Sequence, residues 1–167
     1  QRIAPLSTEV VSLRDACGRH LSADIISEVS VPAFQRAAMD GYAIRAEESF
    51  GAGPYNPLEL EVVGEVLPGR ELDGEVQSGQ AVRIMTGAPV PKGADSVVMA
   101  EHATESESDG ARRVALTDSV TPGRHVGQVG EDIAEGTVVL TKGRRLRPQD
   151  LGVLASIGCG AWEVHPR

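Results

Sequence analysis

The chain has 167 residues, enough for one full core or two small ones, and 41% hydrophobic content can fill either. Nineteen glycines and ten prolines cut it into short pieces, and two Phe, two Tyr and one Trp leave few large anchors for one thick core. A formal charge of −8 with no basic cluster interleaved with aromatics excludes nucleic acid as a natural partner, and no apolar run approaches the roughly 20 residues that span a bilayer.

Ser12-Leu13-Arg14-Asp15 reads as an N-cap with an acid at the third helical position, and Gly18 offers a stop, which predicts a helix of about two turns over Ser12 to Cys17. Val11, just outside it, is placed to pack on Ala16. From about residue 30 to 140 the pattern is β. Leu60 to Val66, Ala81 to Met85, Ser96 to Ala100, Arg113 to Leu116 and Thr137 to Leu140 are short runs rich in β-branched residues. Turn pairs such as Pro68-Gly69, Asp73-Gly74, Asp109-Gly110 and Pro122-Gly123 separate them at intervals too short for crossover helices, which predicts antiparallel pairing. Glu101 to Gly110 is polar and acidic and reads as a solvated hairpin loop, so Glu105, Glu107 and Asp109 are set aside as site residues. Near the end, Pro148 suits the first position of a helix over Gln149 to Ile157, Asp150 favours its positive pole, Leu151, Leu154 and Ala155 share a face, and Gly158 closes it.

The fold class that follows is mainly β with short helices, a β-rich α+β arrangement of two small subdomains. Residues 1–29 and 140–167 form a discontinuous mixed subdomain, and 30–139 form a β-rich subdomain inserted in it. Gln1 without a preceding Met points to a trimmed start, and the absence of a signal peptide makes the cytoplasm the simplest location. Cys17 and Cys159 are too few for a disulfide framework and read as buried thiols. His20, His102, His125 and His165 show no zinc-ligand spacing.

Three segments carry chemistry. In Ala37-Ala38-Met39-Asp40-Gly41-Tyr42-Ala43 a carboxylate sits among small residues and before a glycine that permits a left-handed or tight-turn backbone. In Arg83-Ile84-Met85-Thr86-Gly87-Ala88-Pro89-Val90-Pro91 an apolar run ends in Thr-Gly and a proline-stiffened loop, while Val129-Gly130-Glu131-Asp132-Ile133 sets an acidic pair after a glycine. Asp40, Glu131 and Asp132 are hard oxygen donors of the kind Mg²⁺ accepts when it keeps several waters and shares a substrate phosphate. Taken alone, each acid is equally readable as a cap or Asx-turn, and Thr86 as a strand-end hydroxyl bonded to its own backbone. Tyr42 reads as a packing residue with its hydroxyl at the rim.

These segments, together with Gly93-Ala94-Asp95-Ser96-Val97-Val98 and Arg147-Pro148-Gln149-Asp150-Leu151-Gly152, resemble the N-terminal region of the MoeA family, the molybdopterin molybdotransferases, to which the gephyrin E domain is also related. The resemblance implies an enzyme that inserts molybdate into adenylylated molybdopterin with release of AMP, helped by Mg²⁺, and that works as a homodimer. It implies catalytic roles for Asp40, Thr86 and Asp132, with Asp40 and Asp132 as metal ligands and Gly41, Gly87 and Glu131 beside the bound substrate. The Thr86 hydroxyl and Gly87 N–H would be donors to an anionic oxygen. Relatives often carry arginines just before Gly-Glu-Asp-Ile where this chain has Gly127-Gln128-Val129, which leaves Arg124 or His125 as weaker substitutes there, while Arg36 reads either as a helper in holding an anion or as part of an exposed loop, Phe34-Gln35-Arg36. The family's own molybdopterin-binding C-terminal domains lie outside this sequence, so the segment would supply one wall of the cleft and be inactive alone. The other functions compatible with the residues are a non-catalytic dimerisation or scaffold module, and a standalone divalent-metal or anion-binding domain.

Overall fold

A computed structural model describes residues 7–108 and 110–166. Gln1 and Asp109, both singled out from sequence, lie outside the described residues. The chain divides into two compact units, one made of residues through Ala33 together with those from Val129 on, the other of Phe34–Gln128. The first unit opens with strands β1 (Glu9–Ser12), β2 (His20–Leu21) and β3 (Ile25–Ile26). The inserted unit carries β4 (Arg36–Ala37), β5 (Gly41–Ile44), β6 (Leu58–Val66), β7 (Gln80–Ile84), β8 (Ser96–Met99), β9 (Ala103–Ser108), β10 (Ala111–Leu116) and β11 (Val126–Gly127). Back in the first unit come β12 (Val138–Leu140), α1 (Pro148–Ser156) and β13 (Ala161–His165).

Six strands of the insert form one sheet in the order β8-β5-β7-β6-β10-β9. Strand β5 is buried at all four positions because the two-residue alternation sends Tyr42 and Ile44 to one core and Ala43 to another. Along β6, Leu60 and Val62 join the first core while Val66 joins the second. The register shift between Val62 and Gly64 makes that switch, since one extra residue turns every later side chain over. A hydrogen bond from Tyr42 on β5 to Glu105 on β9 joins strands four places apart in this order, so the sheet curls back on itself.

Two expectations about the insert are corrected. The β6–β7 pair is parallel, not antiparallel, and is joined without a helix by residues 67–79, which bury Val76 and lay Leu72 against the core. Residues 101–110 are not a free loop. Glu101 belongs to a short 3₁₀ turn, Ala100–His102, and Ala103–Ser108 pairs with β10 as the edge strand β9, whose carboxylates suit an edge that must not recruit another chain.

In the first unit β1, β13 and β2 form a three-stranded sheet, and β12 pairs with β3. Its core gathers Val11, Ala16, Leu21, Leu140, Leu146, Leu154, Ile157, Trp162 and Val164. The helix expected over Ser12 to Cys17 is absent. Ser12 ends β1 instead, and Val11 turns inward as a strand residue opposite Trp162. One turn follows, with Ser12 Oγ donating to Asp15 Oδ2 at 2.8 Å, because so short a helix has too few bonds to compete with pairing to β13. The later helix forms, with Pro148 at its start and Leu154 buried, but Ala155 faces solvent. The units also change over at different places from those expected. The Val31–Ile133 bridge and the β3–β12 pair hold residues 129–140 in the first unit, so Glu131 and Asp132 do not belong to the insert.

Candidate functional site

Asp40 is placed by the strand that follows it. Gly41 opens β5 between Met99 of β8 and Ile84 of β7, and a Cβ at Gly41 would stand 1.9 Å from the Val98 carbonyl oxygen. Close backbone approach therefore requires the glycine, and not the left-handed conformation expected from the sequence, since Gly41 is absent from the positive-φ positions. The Asp40 carbonyl accepts from Ala100 N–H at 3.0 Å, which pins the residue to β8's end as well.

The same register brings Thr86 to Asp40. With Gly41 opposite Ile84, the residues flanking that pair converge, and Asp40 Oδ1 accepts both the Thr86 backbone N–H at 2.7 Å and the Thr86 hydroxyl at 2.6 Å. Both bonds fall on Oδ1, and Oδ2 accepts neither. The Asp40 carboxylate is exposed, and its pKa lies below the ordinary value, first through the Thr86 hydroxyl, then the Thr86 N–H, with a further contribution from the charge of Arg83.

Gly87 follows at φ +84°, where only glycine is unstrained, and its N–H donates to the Ala37 carbonyl at 2.8 Å. The expected anion donors at Thr86 and Gly87 are thus spent inside the protein, Thr86 on Asp40 and Gly87 on Ala37. Further bonds from Ala37 N–H to Ala88 and from Val90 N–H to Gln35 tie the proline-stiffened loop along residues 35–37. His125 is also structural. It sits at φ 56°, its ring Nδ1 lies 2.9 Å from the Val97 carbonyl, and its own carbonyl accepts from Ala38 N–H. Arg124 is exposed, and Arg36 is half-buried on β4.

Beyond Asp40, the β5–β7 register sets Tyr42 opposite Arg83. Glu105 Oε1 accepts from the Tyr42 hydroxyl at 2.8 Å, from Arg112 at 3.1 Å and from Arg83 at 3.4 Å, and Glu65 stands 3.4 Å from Arg83 Nε. Burial and then the bond to Glu105 push the Tyr42 hydroxyl pKa up to about 12. Glu105 shifts the other way, below the ordinary carboxylate range, chiefly because Tyr42 donates to it. Neither Glu105 nor Arg83 carried a role from sequence. Arg83 had a signal, being the one charged residue of the strand Gln80–Ile84 beside Ala81, Val82 and Ile84, whereas the link to Glu105 depends on sheet curvature that no local pattern records.

In the first unit, Gly130 at φ +73° donates its N–H to the Pro32 carbonyl at 2.9 Å, while Asp132 N–H and Ile133 N–H both donate to the Val31 carbonyl at 3.0 Å. Glu131 and Asp132 are exposed there. The structure thus brings Asp40 and Thr86 together within one unit, with Gly41 and Gly87 shaping their backbone, and sets Asp132 and Glu131 in the other. Among the described residues no three His, Cys, Asp or Glu side chains cluster in a way that could hold a metal ion unaided. A groove of the insert lined by Phe34, Leu72, Pro89 and Pro91 among others does not include Asp40 or Thr86.

A curled, mainly β insert bearing an Asp-Gly strand start and a Thr-Gly loop is the architecture of the MoeA N-terminal region (domain I and II), whose family model matches residues 1–158. The chain belongs to that family. It is 43% identical over 157 residues to molybdopterin molybdenumtransferase 2 of Mycobacterium tuberculosis, covering 94% of this chain and 38% of that protein. Its identity to the molybdopterin molybdenumtransferase of Bacillus subtilis is 40%, covering 90% of this chain and 35% of the relative. The crystal structure of the molybdopterin biosynthesis moeA protein of Pyrococcus horikoshii OT3 superimposes with a TM-score of 0.88 at 45% identity, over 95% of this chain and 41% of that one. The chain therefore spans between a third and about two-fifths of the length of these relatives.

Proposed function

We propose that the chain is the N-terminal region of a molybdopterin molybdotransferase, whose whole protein inserts molybdate into adenylylated molybdopterin and releases AMP. The observation that carries this reading is the Asp40–Thr86 clamp, an exposed carboxylate oriented by two short hydrogen bonds at the end of a strand, in a chain whose full-length relatives bear that enzyme's name. The two bonds to Thr86 also tie the start of β5 to the loop after β7, and the exposure of the carboxylate is what leaves it accessible to a ligand.

The donor chemistry suits a divalent cation of the magnesium type. Such an ion takes oxygen ligands, keeps several waters and completes its shell from one or two carboxylates and a substrate phosphate, so it does not need a cage of three protein side chains. Asp40 would hold it, and when bound it would supply Lewis-acid polarisation of the phosphate bridge; Asp132, in the other unit, is a candidate by the resemblance alone. Thr86 fixes the rotamer of Asp40 and, by donating twice to Oδ1, keeps the carboxylate ionised. The Gly87–Ala37 bond and the two prolines hold Thr86 in place at low entropic cost. Catalysis on this wall is positioning and electrostatics, with no covalent role for the chain's own residues. A homodimer, a cytoplasmic location and inactivity of the isolated segment belong to the same proposal.

The test uses the full-length protein. With adenylylated molybdopterin, molybdate and Mg²⁺, Asp40→Asn and Asp132→Asn should each lower cofactor formation by about a hundredfold, the scale of removing one preorganised electrostatic contact, with an unchanged unfolding midpoint. Near-normal turnover in both variants would remove the catalytic reading and return both acids to turn chemistry.

A further inference from the structure

We propose that Arg83 is an oxyanion-binding residue beside the Asp40–Thr86 clamp. The ligand class is a tetrahedral oxyanion, and its identity as molybdate or as a substrate phosphate rests on the molybdotransferase reading. Arg83 precedes Thr86 by three residues on β7 and lies across from Tyr42, and its charge reaches Asp40. It is the one charged residue of the strand Gln80–Ile84, and its side chain keeps 38% of its surface.

Its present partners hold it loosely. Both ion pairs, Nε to Glu65 and Nη1 to Glu105, are 3.4 Å long, beyond the usual range for N–H···O bonds. Glu105 is better served by Tyr42 at 2.8 Å and Arg112 at 3.1 Å, so it gives up little if the guanidinium turns away. The Tyr42 phenol oxygen is a third partner of this planar fork of donors, and its own proton goes to Glu105. Such a fork matches two oxygens of phosphate or molybdate better than a lysine would. The electrostatics require a cation here as well. An oxyanion approaching the Asp40 carboxylate is repelled, and Arg83, across β7 from Tyr42 two residues beyond Asp40, is a cation whose charge acts on that carboxylate. Stability gives no rival reason for the residue, because exposed pairs of this length contribute about 0–1 kcal/mol.

The experiment is equilibrium titration of the full-length protein with sodium molybdate in one arm and with AMP in the other. Arg83→Met should weaken one or both by about tenfold, the loss expected for one charge-assisted contact, and Arg83→Lys by less. Glu65→Gln should act in the opposite direction and tighten the same anion two- to threefold, because it removes a competing carboxylate. A merely structural arginine would not produce that gain. Unchanged affinity for both anions in Arg83→Met overturns the proposal. If that variant does not fold, unchanged or weaker binding in Glu65→Gln overturns it instead. The titration reads no turnover, so a full-length protein that binds these anions but forms no cofactor would sink the enzymatic reading and leave Arg83's role standing.

Discussion

The inserted unit buries its sheet on both faces, with Tyr42 and Ile44 in one core and Ala43, Val82 and Ile84 in another, whereas the first unit buries a single cluster beneath short strands and one helix. The two units close differently as a result. Backbone complementarity does it in the insert, where strands approach so tightly that Gly41 admits no Cβ. In the first unit a buried polar group does it. Asp150 is 3% exposed and accepts Arg144 Nη2 at 2.8 Å, Arg147 N–H at 3.0 Å and Arg147 Nε at 3.3 Å. It thereby ties the start of α1 to residues 144–147, whose backbone in turn pairs with Gly18, Arg19 and Leu21. A sheet with two cores tolerates few changes of shape but needs no internal charge. A small core under short elements uses a charge to fix where its one helix begins.

Gly41→Ala breaks the comparison most severely. A Cβ 1.9 Å from the Val98 oxygen and 3.0 Å from Met99 Cα meets backbone on a strand flanked by two others, so no side chain can move aside. The expected cost is about 3 kcal/mol or more, at the upper end for single substitutions, read as a lower urea midpoint or as failure to fold. A midpoint within experimental error of the parent would show that β5 and β8 separate easily and that the insert is not closed by backbone fit.

How far the sequence announced these features differs between the two units for the same physical reason. Five strand runs were legible because β-branched alternation is local, and each appears within a residue or two of its expected span. Helix α1 was legible from Pro148 and Gly158. What depended on partners was not. Ser12 to Asp15 carries a sound capping pattern, yet pairing of residues 9–12 with β13, some 150 positions away, decides its conformation. Glu101 to Gly110 looked solvated because its residues are mostly charged and polar, and only the ladder of Ala103–Ser108 to β10 shows that the backbone there is a strand. At the candidate site, Asp40 and Thr86 were each readable as special, but their bond is a product of the β5–β7 register. The expected donors at Thr86 and Gly87 are used up by contacts that the register alone creates.

Asp150→Asn sharpens the other side of the comparison. It removes a charge-assisted bond to Arg144 and weakens those to Arg147, and should cost about 1–3 kcal/mol in urea unfolding at neutral pH. The effect depends on pH with a definite sign. Arg144, followed by Arg147, holds the Asp150 carboxyl well below the ordinary carboxylate range. A depressed folded-state pKa means that the stabilisation is complete above the unfolded value and is lost as pH falls towards the folded one. The gap between parent and variant should therefore narrow on acidification. A gap constant from neutral pH down through the carboxylate range would show that the charge on Asp150 is not what closes the first unit.

The smallest expected effect, and the most direct check on curvature in the insert, concerns Tyr42. Its hydroxyl is tied to Glu105 only if the sheet curls far enough to bring β9 to β5, and it is that burial and that bond which push its pKa up to about 12. A raised folded-state value favours the neutral phenol, so the stabilisation is fully present below the unfolded value near 10 and is lost as pH climbs through about 12. The chain holds two tyrosines, Tyr42 and the exposed Tyr55, so a Tyr55→Phe protein reports Tyr42 alone. Its tyrosinate absorbance should rise with a midpoint near 12 while folded and near 10 in concentrated urea, and adding Glu105→Gln should move the folded midpoint down. A folded midpoint equal to that in urea would mean that the phenol already meets water. The β5–β9 closure would then be absent, and the Glu105 tether on Arg83 would be left without its anchor.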